Sequence, residues 1–128
     1  MKPTIFYIDD DDACLNIFRE VFGGEYDVRT AGTPEEARRM LGERSADIVI
    51  SDQAMPDIRG TDFLREVAAA HPSSFRVLLT GSIPMFSVMP EVGGGLIHLF
   101  VAKPWTEDGM RRMLERASLH FESEGGGR

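Results

Sequence analysis

A single cysteine, Cys14, in 128 residues leaves no partner for an internal disulfide and no cysteine pair for a metal site. That usage suits a reducing compartment, and the expected location is cytoplasmic. No apolar run approaches the roughly 20 residues a membrane-spanning helix needs. Met1-Lys2-Pro3-Thr4 leads straight into a short strand-like stretch, with no apolar segment of signal-peptide length. Cations are outnumbered, with 14 Lys and Arg against 21 Asp and Glu for a net charge of −7. An excess of that sign disfavours attraction to nucleic acid phosphates or an anionic membrane, so neither is an expected partner. His71, His98 and His120 are scattered, form no metal set, and read as surface or helix-end residues. No internal repeat and no helix-turn-helix pattern is visible. The composition, 42% hydrophobic and 27% charged, is that of a folded globular chain rather than a disordered one.

The patterning alternates between the two regular periods. Thr4 to Ile8 is short, β-branched and aromatic, and it ends at a run of acids, which predicts a buried strand. From Asp12, with Asp12 as the expected cap, Ala13, Cys14, Ile17, Phe18, Val21 and Phe22 recur at helical spacing until Gly23-Gly24. A second strand is expected over Tyr26 to Thr30. Thr33-Pro34-Glu35-Glu36 then supplies an N-cap, a first-turn proline and a capping-box glutamate for a helix to about Leu41. Asp47 to Ser51 predicts a third strand, Thr61 to about Ala70 a helix stopped by His71-Pro72, and Arg76 to Thr80 a fourth strand. Ile97 to Val101 predicts a fifth. Thr106 caps a last helix with Met110, Met113, Leu114, Ala117 and Phe121 on its apolar side. A fourth helix should lie within Pro84 to Gly95, although Pro90 and Gly93-Gly94-Gly95 oppose it. Five strands alternating with helices predict an α/β fold: one doubly wound, flavodoxin-like (βα)5 domain with a parallel sheet of order 2-1-3-4-5. The domain is expected over residues 1–121, with 122–128 a flexible acidic and Gly-rich tail or the start of a linker.

In open sheets of this kind the binding crevice lies at the carboxyl ends of the strands, where the strand order reverses. Asp9 and Asp10 follow the first strand and Asp52 ends the third, so three carboxylates are expected to meet there. Their mutual repulsion is relieved by a cation, and an open site of hard oxygen donors suits magnesium. Thr80, ending the fourth strand, and Lys103, following the fifth, add a hydroxyl and an ammonium. Acids, hydroxyl and ammonium together suit a phosphoryl group, which one carboxylate could accept as an acyl phosphate while the cations neutralise charge.

The order Asp9-Asp10, Asp52 with Met55-Pro56 and Gly60, Thr80-Gly81, and Phe100 three residues before Lys103-Pro104-Trp105 resembles the bacterial response-regulator receivers. The resemblance covers about residues 4–121. It implies a CheY-like signalling switch in a two-component phosphorelay, not an enzyme, although it assists its own phosphorylation and dephosphorylation. By that resemblance Asp52 accepts a phosphoryl group from a histidine kinase or a histidine phosphotransfer protein. Asp10 ligates Mg2+ directly, Asp9 through water, and Asp52 and the carbonyl of Ala54 complete the protein ligands. Lys103 contacts the phosphoryl oxygens, Thr80 swings towards them, Phe100 turns inward as the coupled switch, and the Lys103-Pro104 bond is cis. Output is expected through an attached domain, a downstream protein or a second copy of the chain, on a face built from the fourth helix, fifth strand and last helix.

Simpler roles stand beside these. Thr80 could serve only local backbone, Phe100 could be a plain core aromatic, and Cys14 reads as a small packed hydrophobe. Ala54 and Ser82, two residues past Asp52 and Thr80, offer no acid or amide to orient an attacking water. A slowly hydrolysed phosphorylated form is therefore expected, and loss of the label within seconds would count against it. Arg59 adds a positive charge near the mouth. A magnesium-dependent phosphatase with an aspartyl nucleophile is the enzyme alternative, though no cap or substrate loop is evident, and a binding module without phosphorylation is a third reading. A flavin site fits less well, because the loop after the first strand is acidic.

Overall fold

The computed structural model describes residues 2–81 and 95–125, with side chains described as far as Leu119. Its elements run β1 (Thr4–Ile8), α1 (Asp12–Phe22), β2 (Asp27–Ala31), α2 (Pro34–Glu43), β3 (Ile48–Asp52), α3 (Gly60–Ala70), β4 (Phe75–Thr80), β5 (Leu99–Ala102) and α4 (Glu107–Gly125). The five strands form one parallel sheet in the order β2-β1-β3-β4-β5, as the alternation predicts. β1, β3 and β4 are buried throughout, and their unbroken apolar runs are what a parallel sheet covered on both faces requires.

Strand alternation divides the core in two. Ile5 and Tyr7 of β1, Ile48 and Ile50 of β3, and Val77 and Leu79 of β4 face α1 and α4, where they meet Leu15, Phe18, Phe22, Met110 and Leu114. Phe6, Ile8, Val49 and Leu78 point the other way, into a layer with Ala37, Leu41, Phe63, Leu64 and Val67 of α2 and α3. Each fully buried large side chain of this kind contributes roughly 1.5–3 kcal/mol. No described helix is long and apolar enough to cross a membrane.

Several sequence expectations shift by a residue or two. β2, β3 and β5 lie one or two positions further on than expected, because strand ends are set by pairing partners rather than by the local apolar run. Asp11, not Asp12, caps α1, its carboxylate accepting the N–H groups of Ala13 and Cys14 at 3.0 and 3.4 Å. Ile17, expected on the apolar stripe, is half exposed, and Leu15 takes the buried position. Thr33 caps α2, but Glu36 reaches the Gly32 N–H at 2.9 Å in place of the usual reciprocal bond. α4 runs through Gly125, so the boundary expected at residue 121 falls inside a helix. The expected fourth helix over 84–94, with Pro90, lies outside the described residues.

His98 is neither a surface nor a helix-end residue. Its ring stacks on Phe75 at 4.7 Å, and its Nδ1 accepts the Arg76 N–H at 2.9 Å. Arg76 itself is buried, and its guanidinium donates to the carbonyls of Pro72, Ser74, Gly95 and Leu96 and to Ser74 Oγ at 2.7–3.3 Å. One side chain thereby ties the start of β4 to the approach of β5.

Candidate functional site

Three strand ends and one loop converge at the carboxyl edge of the sheet. β1 pairs with both β2 and β3, so the chain leaving β1 and the end of β3 lie side by side at the switch point. Asp9, just past β1, is completely buried, Asp52 at the end of β3 is 3% exposed, and Asp10 is exposed. One carboxylate oxygen from each of the three lies within 4.8 Å of the others.

The β1–α1 turn is fixed by short-range bonds. Asp9 Oδ1 accepts the Asp11 N–H at 3.0 Å, and the Asp9 N–H donates to the Ala31 carbonyl at 3.2 Å. Oδ2 accepts the Tyr7 hydroxyl at 2.7 Å and the Lys103 ammonium at 3.3 Å. Lys103 also stands 3.4 Å from Asp52 Oδ2. Its backbone N–H donates to the Thr80 carbonyl at 2.9 Å, so the end of β4 positions the ammonium. The Lys103-Pro104 peptide is cis, as the resemblance implies.

The other side of Asp52 is set by α3. Gly60 opens this helix directly over the Asp52 backbone, where a Cβ would stand 2.4 Å from the Asp52 carbonyl oxygen and 2.8 Å from Leu78 Cδ1. Arg59, the capping position, makes no side-chain cap bond, and Gln53 Oε1 accepts the Thr61 N–H at 2.9 Å instead. The backbone N–H of exposed Ala54 favours the charged form of the Asp52 carboxylate.

These contacts decide the electrostatics. Burial, and then the charge of Asp9, push the Asp52 carboxyl up to about 6, with Lys103 and the Ala54 N–H opposing. Burial alone would pull Lys103 down, but Asp9 and Asp52 outweigh it and raise the ammonium above its ordinary value. Tyr7, fully enclosed and hydrogen-bonded to Asp9, is held firmly as the neutral phenol. Buried carboxylates at a water-accessible edge, one of them reluctant to ionise, form an arrangement that a divalent cation would relieve. The all-oxygen donor set with exposed Asp10 at its rim fits such an ion.

Of the residues singled out from sequence, the structure gathers Asp9, Asp10, Asp52 and Lys103 into one group. Thr80 is buried at the adjoining end of β4. Phe100 pairs with Leu78 across β4 and β5 and lies half-buried against the α2–α3 layer. Arg59 is paired with Asp62 at 3.4 Å. Cys14 packs at the margin of the α1–α4 layer, as a small hydrophobe does. Ser82 lies outside the described residues. Sequence reasoning missed Tyr7 and Gln53; the only hint was a polar tip on an otherwise apolar strand, and an amide directly after the acceptor strand.

Known proteins share this fold. The family model for the response regulator receiver domain matches residues 5–115. The hydrogenase transcriptional regulatory protein HoxA of Cupriavidus necator is 28% identical over 107 residues, covering 84% of this chain and 22% of that protein. The chain therefore spans about a quarter of the length of the curated relatives it matches. The signal receiver domain of an HD domain-containing protein from Pseudomonas fluorescens superposes with a TM-score of 0.88 at 26% identity, covering 96% of this chain and 99% of that one. A response regulator receiver domain protein from Clostridium thermocellum gives a TM-score of 0.81 at 27% identity, covering 90% and 93%. With its sheet order, its acidic crevice and this match over most of its length, the chain belongs to the response regulator receiver domain family.

Proposed function

We propose that Asp52 is the phosphoryl acceptor of this receiver domain and that Asp9, Asp10, Asp52 and the Ala54 carbonyl hold Mg2+ beside it. The observation that carries this reading is the position of Lys103, within 3.4 Å of both Asp9 and Asp52 at the mouth of a buried acidic group. In the transfer an Asp52 oxygen forms a new bond to phosphorus as the donor's P–N bond breaks, and the electron pair leaves with the donor imidazole. Asp52 is held for this by the overlying start of α3. Lys103 meets the charge on the transferred group, and Thr80 offers its hydroxyl from the next strand end. Magnesium, when bound, would add positive charge facing the phosphoryl oxygens.

The donor would be a histidine kinase or a histidine phosphotransfer protein, in the cytoplasm. Phosphorylation would add charge at one point and bias an equilibrium read elsewhere, with Thr80 and Phe100 as the coupled pair. The longer curated relatives are transcriptional regulatory proteins, which supports output through a segment attached to the 1–121 unit, a separate protein or a second copy. The test is incorporation of phosphate from acetyl phosphate or a phosphohistidine donor with magnesium. Label is expected on the wild type and lost in Asp52→Asn; label unchanged by that substitution would refute the assignment.

A further inference from the structure

Position 7 sits in the middle of a buried strand, and its side chain packs among Ile5, Ile48, Phe18 and Phe22. Phenylalanine would fill that place. A tyrosine there brings a hydroxyl into a fully buried site, at a cost unless the group is hydrogen-bonded. The Tyr7 O–H donates to Asp9 Oδ2 at 2.7 Å. Ring packing continues from Tyr7 towards Trp105, with Tyr7 edge-on to Phe18 at 5.0 Å and Trp105 edge-on to Phe18 at 5.9 Å. Trp105 then lies half-buried in a groove with Cys14, Ile17, Val21 and Pro104.

Asp9 Oδ2 therefore has two donors of different kinds. Lys103 reaches it on a long flexible stem and is shared with Asp52. Tyr7 is rigid, enclosed and bound to Asp9 alone among the carboxylates. Hydrogen bonds to groups that themselves hold a metal fix their orientation and are worth on the order of ten- to a hundredfold in affinity.

We propose that Tyr7 is a positioning residue of the phosphoacceptor site: its hydroxyl sets the orientation of Asp9 for cation binding, and its ring packs through Phe18 to Trp105, the single tryptophan, which thereby senses the occupancy of the site. This inference rests on the reading of Asp9, Asp10 and Asp52 as a magnesium site. A cation that draws on the Asp9 carboxylate weakens what Oδ2 offers to the Tyr7 proton, and the resulting shift of the Tyr7 ring passes through Phe18 to the indole.

The test is magnesium titration of the wild type and of Tyr7→Phe, followed by calorimetry and by tryptophan emission, with circular dichroism to verify the fold. The wild type is expected to bind magnesium with a change in emission. Tyr7→Phe should bind on the order of tenfold more weakly and, once saturated, show little of that change. Equal affinity together with an unchanged emission response in Tyr7→Phe overturns the proposal. Wild-type protein that takes up no magnesium by calorimetry overturns the site reading on which it rests, a distinct result. Independently of any variant, the indole resonance of the wild type should move on magnesium addition. An indole resonance that magnesium does not move also overturns it.

Discussion

Lys103 Nζ stands 3.4 Å from Asp52 Oδ2, the closest cation to a carboxyl that its surroundings hold reluctant to ionise. Replacing it with methionine keeps most of the stem and removes the charge. Two buried carboxylates then face each other without relief, which should cost about 1–3 kcal/mol near neutral pH. Part of the penalty is escaped at lower pH, where Asp52 takes up a proton. The loss measured by urea unfolding should therefore be larger at pH 8 than at pH 5, and an equal loss at both would contradict the pairing.

Asp52 also gives a sign to the pH dependence of the metal-free protein. Its folded value is about 6, against an ordinary 3.8, so the folded state binds the proton more tightly. Its contribution to stability is fully present below the ordinary value and is lost as the pH rises through about 6. Asp52→Asn should flatten the curve in this window and be more stable than the wild type at pH 7 by roughly 1–3 kcal/mol. Parallel pH profiles for the two proteins would rule the effect out.

Magnesium should act on the same charge. Added at a hundred times its dissociation constant, a ligand of the folded state alone stabilises by about 2.7 kcal/mol. The thermal midpoint of the wild type should rise accordingly and return on chelation. Asp10→Ala removes an exposed side chain and should leave the metal-free midpoint nearly unchanged while losing the rise. A rise of equal size in that variant would move the ion elsewhere.

At Gly60 the overlying helix allows no side chain. With the Asp52 carbonyl 2.4 Å from where a Cβ would stand, Gly60→Ala must displace either α3 or the end of β3. About 1–3 kcal/mol of stability should go, and phosphorylation from acetyl phosphate should slow because Asp52 shifts with its backbone. A variant as stable and as reactive as the wild type would show that the contact relaxes freely.

Arg76 is the remaining buried charge with a clear task. Its guanidinium serves five acceptors, including the carbonyls of Gly95 and Leu96, and Arg76→Met strands them. The expected loss is roughly 2–4 kcal/mol, and amide exchange should accelerate over Leu96 to His98 ahead of the rest of the sheet. Uniform acceleration across all strands would mean that the residue contributes only general stability.

Much of this was legible in the residues themselves. Strand order followed from the alternation of apolar runs, and the grouping of Asp9, Asp10, Asp52 and Lys103 followed from that order, because each ends or follows a strand. What could not be read were choices made by packing between segments distant in sequence. Leu15 displaced Ile17 from the buried stripe because the sheet covers the face of α1 that carries Leu15, Phe18 and Phe22, at i, i+3 and i+7. His98 found Phe75 and the Arg76 N–H, both 22 or more residues earlier, and Phe18 met Trp105 across most of the chain. Gln53 capped α3 from outside its first turn, a bond no local capping pattern encodes.

The Lys103–Asp9 contact joins residues 94 positions apart, and every crossover of the sheet must be closed before it can form. A chain still emerging during synthesis carries Asp9 and Asp52 long before it carries Lys103. The ammonium that completes the acidic group therefore arrives last, with the fifth strand.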